Sequence, residues 1–233
     1  MNGKADKIEA LARCELFREL SEPSLDSLAG CFAFRHWSKG RVFSPEWSHE
    51  GFHVVVDGRL ELMRCNLRSG RGFTVSLLFP GDAFDLLRLA GDHEHHVTPA
   101  AVDSLVLLSA PLERIRQWRE AQKGFSGVLL RALAKQLIAL EQTATDLAVY
   151  DTSTRLARLL LRHLENQREQ SSPGTVIDLP NEVLARSIGT VRVVLNRHIQ
   201  ELKRSGAVET RRGALEILNL EELLARSQEL ESD

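Results

Sequence analysis

The stretch IGTVRVVLNRHIQELKRSGAVETRRGALEIL, Ile188–Leu218, decides how the C-terminal part of the chain folds. Gly189 interrupts a helical pattern and Gly206 ends the next one, which predicts a helix from Val191 to about Ser205. Asn181 stands where it can cap the helix before the interruption. Two short helices joined by a tight glycine turn form a helix-turn-helix.

The second helix has a buried and an open face. Its predicted buried residues recur at spacings of four, four and three: Val191, Leu195, Ile199 and Leu202. The residues left outside, with the turn threonine, form a predicted DNA-reading face: Thr190, Arg192, Val193, Asn196, Arg197 and Gln200. Guanidinium groups suit guanine edges or phosphates, an asparagine amide suits adenine, and a valine methyl suits the thymine methyl.

The charge of this region differs from that of the whole chain. The chain has a formal net charge of -2, whereas residues 186–212 carry seven basic and two acidic side chains, a local excess of five. Two short strands flank Arg211 and Arg212, which predicts a hairpin whose basic tip lies on DNA phosphates as a wing. The alternative is a helical hairpin whose charged face is only solvated.

The N-terminal half has the pattern of a sheet protein. Short apolar runs such as FHVVV and FTVSLLF alternate with turn signals between Val42 and Leu108, which predicts an antiparallel barrel or roll. The chain has 233 residues and 43% apolar residues, enough to bury a core. It shows neither a long apolar span nor a secretion signal, so we expect a cytoplasmic protein without a membrane partner.

A heptad seam follows the roll. Between Gly127 and Tyr150, apolar residues are spaced 3, 4, 3, 4, 3: Leu130, Leu133, Leu137, Leu140, Ala144 and Leu147. Such a seam packs either on its own domain or on a second copy, and no later helix offers a matching seam, which favours a homodimer. The predicted domains are a β-roll over residues 1–122, a dimerisation helix over 123–150 and a winged helix-turn-helix over 151–233.

These features in this order resemble the CRP/FNR superfamily of bacterial transcription regulators. SKGRVF, VVVDGRLEL and LLFPGDAF look like its cyclic-nucleotide-type β-roll, and the seam looks like its dimer helix. The resemblance implies an α+β fold with an antiparallel roll, a long dimerisation helix and a C-terminal winged helix-turn-helix. It also implies a regulator that binds a pseudo-palindromic double-stranded operator, with RNA polymerase as a candidate partner.

The same resemblance argues against cyclic AMP as the effector. Nucleotide-binding members have a Gly-Glu pair and then an Arg-Ser pair where this chain has Asp85-Leu86 and, approximately, His95-His96. A leucine cannot accept a hydrogen bond from ribose, and a neutral histidine does not replace a bidentate guanidinium. The positions that meet adenine are Leu140 and Glu141 here. We therefore predict an effector pocket of changed chemistry at Asp85, Leu86, His95, His96, Leu140 and Glu141.

The cysteines and histidines are the candidate groups for sensing an effector. Three scattered cysteines, Cys14, Cys31 and Cys65, cannot supply the four thiolates of an iron-sulfur cluster, and we read them as inert thiols rather than a redox sensor. His93, His95 and His96 lie together in a predicted loop, and one of them, or His49 or His53, could bind haem iron or another metal. The alternatives are a solvated loop and a regulator that needs no ligand.

Other function classes lack sequence support. The chain has no G-x-S-x-G, P-loop, HExxH or dinucleotide fingerprint, so we do not expect an enzyme. A regulatory module that does not bind DNA would have the roll, but it would not need the C-terminal wing.

Overall fold

The computed structural model describes residues 3–44, 51–66, 68, 72–91, 96–169, 176–211 and 214–228. It divides into two compact units, one made of residues 1–65 and 75–139 and the other of residues 66–74 and 140–233. Among the described residues, none of the helices is both long enough and apolar enough to cross a bilayer.

The strand-rich part of the chain forms two sheets. Their strands are β1 Ala33–Trp37, β2 Gly51–Asp57, β3 Leu60–Cys65, β4 Gly72–Leu78, β5 Ala83–Phe84, β6 Thr98–Ala101 and β7 Leu105–Pro111. One sheet has the order β1-β7-β2-β5 and the other β4-β3-β6. Strand β7 pairs antiparallel with β1 and β2, β2 pairs antiparallel with β5, and β3 with β6. The antiparallel roll predicted from the sequence is confirmed.

Helices pack against the first of these sheets in a shared core. They are α1 Lys4–Arg13, α2 Glu22–Ala29, α3 Leu86–Ala90, α4 Leu112–Ala121 and the start of the 25-residue α5 Phe125–Val149. An aromatic cluster joins them: the Phe17 ring stacks on Phe125 at 5.9 Å and meets Trp118 edge-on at 6.1 Å and Phe52 at 6.2 Å. Burying each ring contributes about 1.5–3 kcal/mol, so this cluster anchors the start of α5 to the roll.

The second unit contains the helix-turn-helix. Its elements after α5 are α6 Thr152–Glu169, β8 Val176–Ile177, α7 Asn181–Ser187, α8 Arg192–Arg204, β9 Val208–Arg211, β10 Ala214–Ile217 and α9 Leu220–Gln228. The strands form a small antiparallel sheet in the order β8-β10-β9, and α9 packs on α6. Asp146 near the end of α5 is buried and ion-paired with Arg158 and Arg162 of α6. This pairing fixes the last turns of α5 to α6.

Gly189 makes the turn between α7 and α8. Its φ of +69° lies in the left-handed region, which favours glycine, and a Cβ there would stand 2.9 Å from Leu147 Cδ2, so that leucine side chain would have to move. Gly206, with φ +75°, ends α8 as predicted.

Two details of the sequence prediction are wrong. Asn181 is the first residue of α7 and not its cap, because Pro180 occupies the capping position and its carbonyl accepts from Val183 and Leu184. Val191 is 51% exposed, because α8 begins one residue later and Val191 has extended backbone with φ -104° and ψ 154°. A residue in extended conformation does not follow the helical periodicity that predicted its burial.

Candidate nucleic-acid interface and effector pocket

Helix α8 separates its apolar and polar residues by face. Leu195, Ile199 and Leu202 are buried at 0%, 5% and 0% exposure, and Val183 and Leu184 of α7, which packs on α8, are also buried. The predicted reading residues of α8 lie on the open side and are exposed: Arg192, Val193, Asn196, Arg197 and Gln200. Thr190, in the turn, is half-buried.

The polar residues of this face have partners within the chain. Arg192 Nη1 lies 2.7 Å from Glu182 Oε1, and Asn181 Nδ2 donates to Asn196 Oδ1 at 3.0 Å. Because Arg192 and Glu182 are well exposed, water and salt screen their attraction, and a phosphate or a guanine edge can replace the glutamate.

His198 is a buried residue of this region that the sequence analysis missed. It lies on the buried face of α8 with 5% exposure, and its Nε2 is 2.8 Å from Thr152 Oγ1. Its Nδ1 is 2.9 Å from Glu201 Oε2. No local pattern signals this role, because Thr152 is 46 residues away in sequence.

In the wing, Arg211 is ion-paired with acidic side chains of the same hairpin. The structure places Arg211 at the end of β9, where its Nε lies 2.7 Å from Glu216 Oε2 and its Nη2 3.9 Å from Glu209 Oε2. The Arg211 side chain is nonetheless largely exposed. Arg212, the other predicted wing residue, lies outside the described residues.

Helix α5 buries one side and exposes another. Phe125 and Leu129 belong to the roll core, and Leu133 packs against that core while only partly buried. The remaining seam residues are exposed in the single chain, with Leu130 at 69% and Leu137 at 67%: Leu130, Leu137, Leu140, Ala144 and Leu147. A row of exposed leucines on one helix face is typical of an interaction surface.

An open pocket of about 190 Å³ lies beside α5 in the first unit. Its polar wall includes Glu15, Asp82, Lys135 and Gln136, and its apolar wall includes Leu86. Lys135 Nζ lies 2.8 Å from Glu15 Oε2, and burial raises the pKa of the Asp82 carboxyl. Among the described lining residues, Lys135 is the one cationic side chain, so the wall is poor in groups that bind phosphate.

The predicted effector residues are not all brought together. Leu86 lines the pocket, whereas Asp85 is buried at the start of α3 with a left-handed φ of +80° and lies 3.5 Å from Arg88 Nη1. Leu140 and Glu141 are exposed and absent from the described pocket lining, and His96 is exposed. His95 lies outside the described residues.

The histidines proposed as metal ligands stay a prediction. His93, His95 and His49 lie outside the described residues, and the described part of the chain holds no group of three or more His, Cys, Asp or Glu side chains placed to bind a metal. His53 is buried in β2, with Nδ1 2.9 Å from Ser109 Oγ, and burial lowers its pKa to about 3. An absorption spectrum of protein from haem-supplied cells tests the haem hypothesis, because bound haem gives a Soret band.

The three described cysteines are unpaired thiols. Cys14, Cys31 and Cys65 are free, and burial raises the pKa of the Cys14 thiol to about 12. Such a thiol is protonated at neutral pH and a poor nucleophile, although Cys14 lines the pocket.

Comparisons with known proteins agree with this arrangement. Residues 154–226 match the Crp-like helix-turn-helix domain family. The global nitrogen regulator of Synechococcus elongatus is 26% identical over 211 residues, covering 88% of this chain and 91% of the relative. The CRP-like cAMP-activated global transcriptional regulator of Mycobacterium tuberculosis is 21% identical over 223 residues, covering 94% and 99%.

Solved structures show the same fold. FixK2 from Bradyrhizobium japonicum superposes with a TM-score of 0.72 at 16% identity, covering 85% of this chain and 98% of that one. A CRP/FNR-family transcriptional regulator from Thermus thermophilus gives 0.64 at 20% identity, covering 84% and 98%. Residues 154–226 are therefore a Crp-like helix-turn-helix domain, and the whole chain is similar in sequence to CRP-like transcriptional regulators and shares the fold of CRP/FNR-family structures.

Proposed function

We propose that this protein is a DNA-binding transcription regulator of the CRP/FNR type, which acts as a homodimer and binds a pseudo-palindromic operator under the control of an effector other than cyclic AMP. Two copies of α8, about 34–36 Å apart, would enter successive major grooves on one side of the duplex. Binding to chromosomal DNA would place the protein in the cytoplasm, and RNA polymerase at the neighbouring promoter is a candidate second partner.

The exposed face of α8 is the observation that carries the DNA-binding part of this proposal. Arg192, Val193, Asn196 and Arg197 lie in its first two turns, the part of a recognition helix that contacts base edges, and all four are exposed. The buried Leu195, Ile199 and Leu202 hold this face outward. The sequence-independent part of the affinity would come from Arg and Lys contacts to phosphates.

The exposed seam of α5 supports the homodimer. In a single chain Leu130 and Leu137 leave most of their surface in water, and each leucine buried against a second copy contributes about 1.5–3 kcal/mol. The heptad spacing is that of two helices packed side by side, so the second copy of α5 is the partner that fits.

The pocket beside α5 supports control by an effector of a different class. Leu86 cannot accept a hydrogen bond from a sugar hydroxyl, and the acidic groups Glu15 and Asp82 face whatever enters. A phosphate-bearing ligand would find one cationic side chain, Lys135, and would have to replace Glu15 there beside the Asp82 carboxyl. Isothermal titration with cyclic AMP is therefore expected to show no binding, and mass spectrometry of ligands that co-purify with the protein would identify the true class.

The DNA-binding proposal is tested with an operator selected from random duplexes. We expect Arg197→Ala to weaken operator binding by about 1–3 kcal/mol, because a bidentate guanidinium contact to a base or phosphate is lost while the exposed position leaves the fold intact. Fluorescence anisotropy at fixed salt measures the affinity.

The matched control is Arg114→Ala, which removes the same charge from an exposed position on α4 of the roll. This control should bind the operator within about twofold of the parent, because it lies outside the proposed interface. Equal affinities of the Arg197 variant and the parent would show that the reading face is assigned incorrectly.

A further inference from the structure

Helix α8 buries one polar side chain among leucine and isoleucine, that of His198. Both of its ring nitrogens have partners: Nδ1 lies 2.9 Å from Glu201 Oε2 and Nε2 lies 2.8 Å from Thr152 Oγ1. A carboxylate only accepts, so Nδ1 carries a hydrogen and donates it to Glu201, and the threonine hydroxyl completes the other side. The result is a hydrogen-bonded chain in the order Thr152, His198, Glu201.

Thr152 places one end of this hydrogen-bonded chain at the start of α6. It is the first residue of α6, separated from the end of α5 by Tyr150 and Asp151 alone. The bond to His198 therefore ties the middle of the reading helix to the junction between α5 and α6. A second bond reinforces the tie, since Arg155 Nη1 donates to the Ile188 carbonyl at 3.0 Å, just before the turn.

Glu201 links this hydrogen-bonded chain to the reading face of α8. While Oε2 accepts from the buried imidazole, Oε1 lies 3.8 Å from Nε of the exposed Arg197. An exposed ion pair one helical turn apart is weak by itself, because both side chains must be ordered to form it. Here the hydrogen bond from His198 already orders the carboxylate, which removes part of that entropic cost for Arg197.

We propose that His198 and Glu201 are positioning residues for DNA reading, with Thr152 and His198 fixing the Glu201 carboxylate that orients the Arg197 guanidinium. A leucine at position 198 would suit the apolar surroundings, so the stability of α8 does not require an imidazole. The inference rests on the proposed function, because it presupposes that Arg197 contacts DNA.

The test measures the affinity of full-length variants for the selected operator, for operators changed at one base pair, and for a scrambled duplex. Glu201→Gln should lower the discrimination at the base pair that Arg197 reads by roughly two- to fivefold, the size of one exposed ion pair. It should bind the scrambled duplex as tightly as the parent or more tightly, because one negative charge leaves the interface. A purely structural role would instead weaken binding to all duplexes together.

Thr152→Val and Thr152→Ser form a matched pair for the buried end of the chain. Valine removes the hydroxyl at nearly the same shape and should show the same loss of discrimination to a smaller extent, whereas serine keeps the hydroxyl and should behave as the parent. The inference is overturned if Glu201→Gln keeps full discrimination at every base pair, or if Thr152→Val lowers affinity equally for operator and scrambled DNA.

Failure of the proposed function gives a different result. If Arg197→Ala changes no base-pair preference, the reading face itself is wrong and the positioning role falls with it. If Arg197→Ala lowers the preference at one base pair and Glu201→Gln does not, only the positioning role is overturned.

Discussion

Val193 is the residue of the reading face that folding alone explains least well. It is 79% exposed, more than any other large apolar side chain described in the structure, and it follows Arg192 in the first turn of α8. A methyl-bearing side chain at the start of a recognition helix can meet the C5-methyl group of thymine. Its exposure therefore fits a contact that forms only on DNA.

Replacing Val193 by a residue with a carboxylate should change the preferred base pair in a direction that hydrogen bonding predicts. Val193→Glu should favour a cytosine over a thymine at one base pair, by roughly tenfold, because a carboxylate accepts from the cytosine amino group and gains nothing from the thymine methyl. Competitive selection with the parent and the variant measures the preference. Val193→Ala is the control and should relax the preference without reversing it; an unchanged preference in the glutamate variant would exclude a base contact by residue 193.

His53 makes the stability of the roll depend on pH. Burial lowers its pKa from 6.5 to about 3, so the unfolded chain binds a proton in this range that the folded chain does not. Stability is therefore complete above about pH 6.5 and falls on acidification, by up to about 1.4 kcal/mol per pH unit. His53→Phe, which keeps the stacking on Phe84, should lose this part of the slope in denaturant titrations at pH 7 and 4.5.

The comparison between the parent and the His53→Phe variant isolates the effect of His53 on the slope, because all other titratable groups are present in both proteins. Asp82, whose pKa is raised by burial, acts in the opposite direction, but it is present in both proteins and cancels in the difference. Equal slopes for the parent and the His53 variant would show that folding does not lower the pKa of this imidazole.

At the scale of single elements, α5 has two apolar faces with different uses. Phe125 and Leu129 are buried in the roll core, while Leu130 and Leu137 remain exposed. A helix that only covered its own domain would need the first face alone.

A charge in the seam should separate the proposed dimer. Leu137→Glu is expected to give monomers in sedimentation, because two carboxylates would meet across the twofold axis in an apolar interface. Ile138→Glu is the control, since Ile138 is also exposed, at 55%, but lies off the heptad spacing. If the Leu137 variant is still a dimer, the seam is not the dimer interface. If the Ile138 variant is a monomer, the interface lies on another face of α5.

The elements also show what the sequence could and could not predict. Periodicity found Leu195, Ile199 and Leu202, because each lies on a regular helical face. It failed for Val191 at the helix boundary, where one residue of difference takes a side chain off that face. The same spacing places His198 on the buried face, but its partner Thr152 lies on another helix and could not be predicted from the local pattern. The effector residues were predicted by resemblance, and of those that the structure describes, Leu86 is the one in the pocket.

At the scale of the whole molecule, the chain combines two compact units with separate chemistry. The first unit holds the pocket, and the second holds the reading helix with its tie to the α5–α6 junction. Helix α5 is the element common to both, because its residues up to Ala139 belong to the first unit and those from Leu140 to the second. Under the proposed function, α5 is therefore the segment through which an effector bound in the first unit would act on the second.

In the proposed dimer, the spacing of the two operator half-sites must match the distance between the two copies of α8. Two reading helices joined through α5 reach half-sites about one helical turn apart, so inserting about five base pairs between the half-sites turns the second one to the opposite side of the duplex. We expect the affinity for this operator to fall to that of a single half-site. The Leu137→Glu monomer should bind the original and the lengthened operator equally, because each copy reads one half-site alone. Anisotropy titrations of both proteins on both duplexes measure this, and a parent protein indifferent to the insertion would mean that its two copies do not read DNA as one rigid pair.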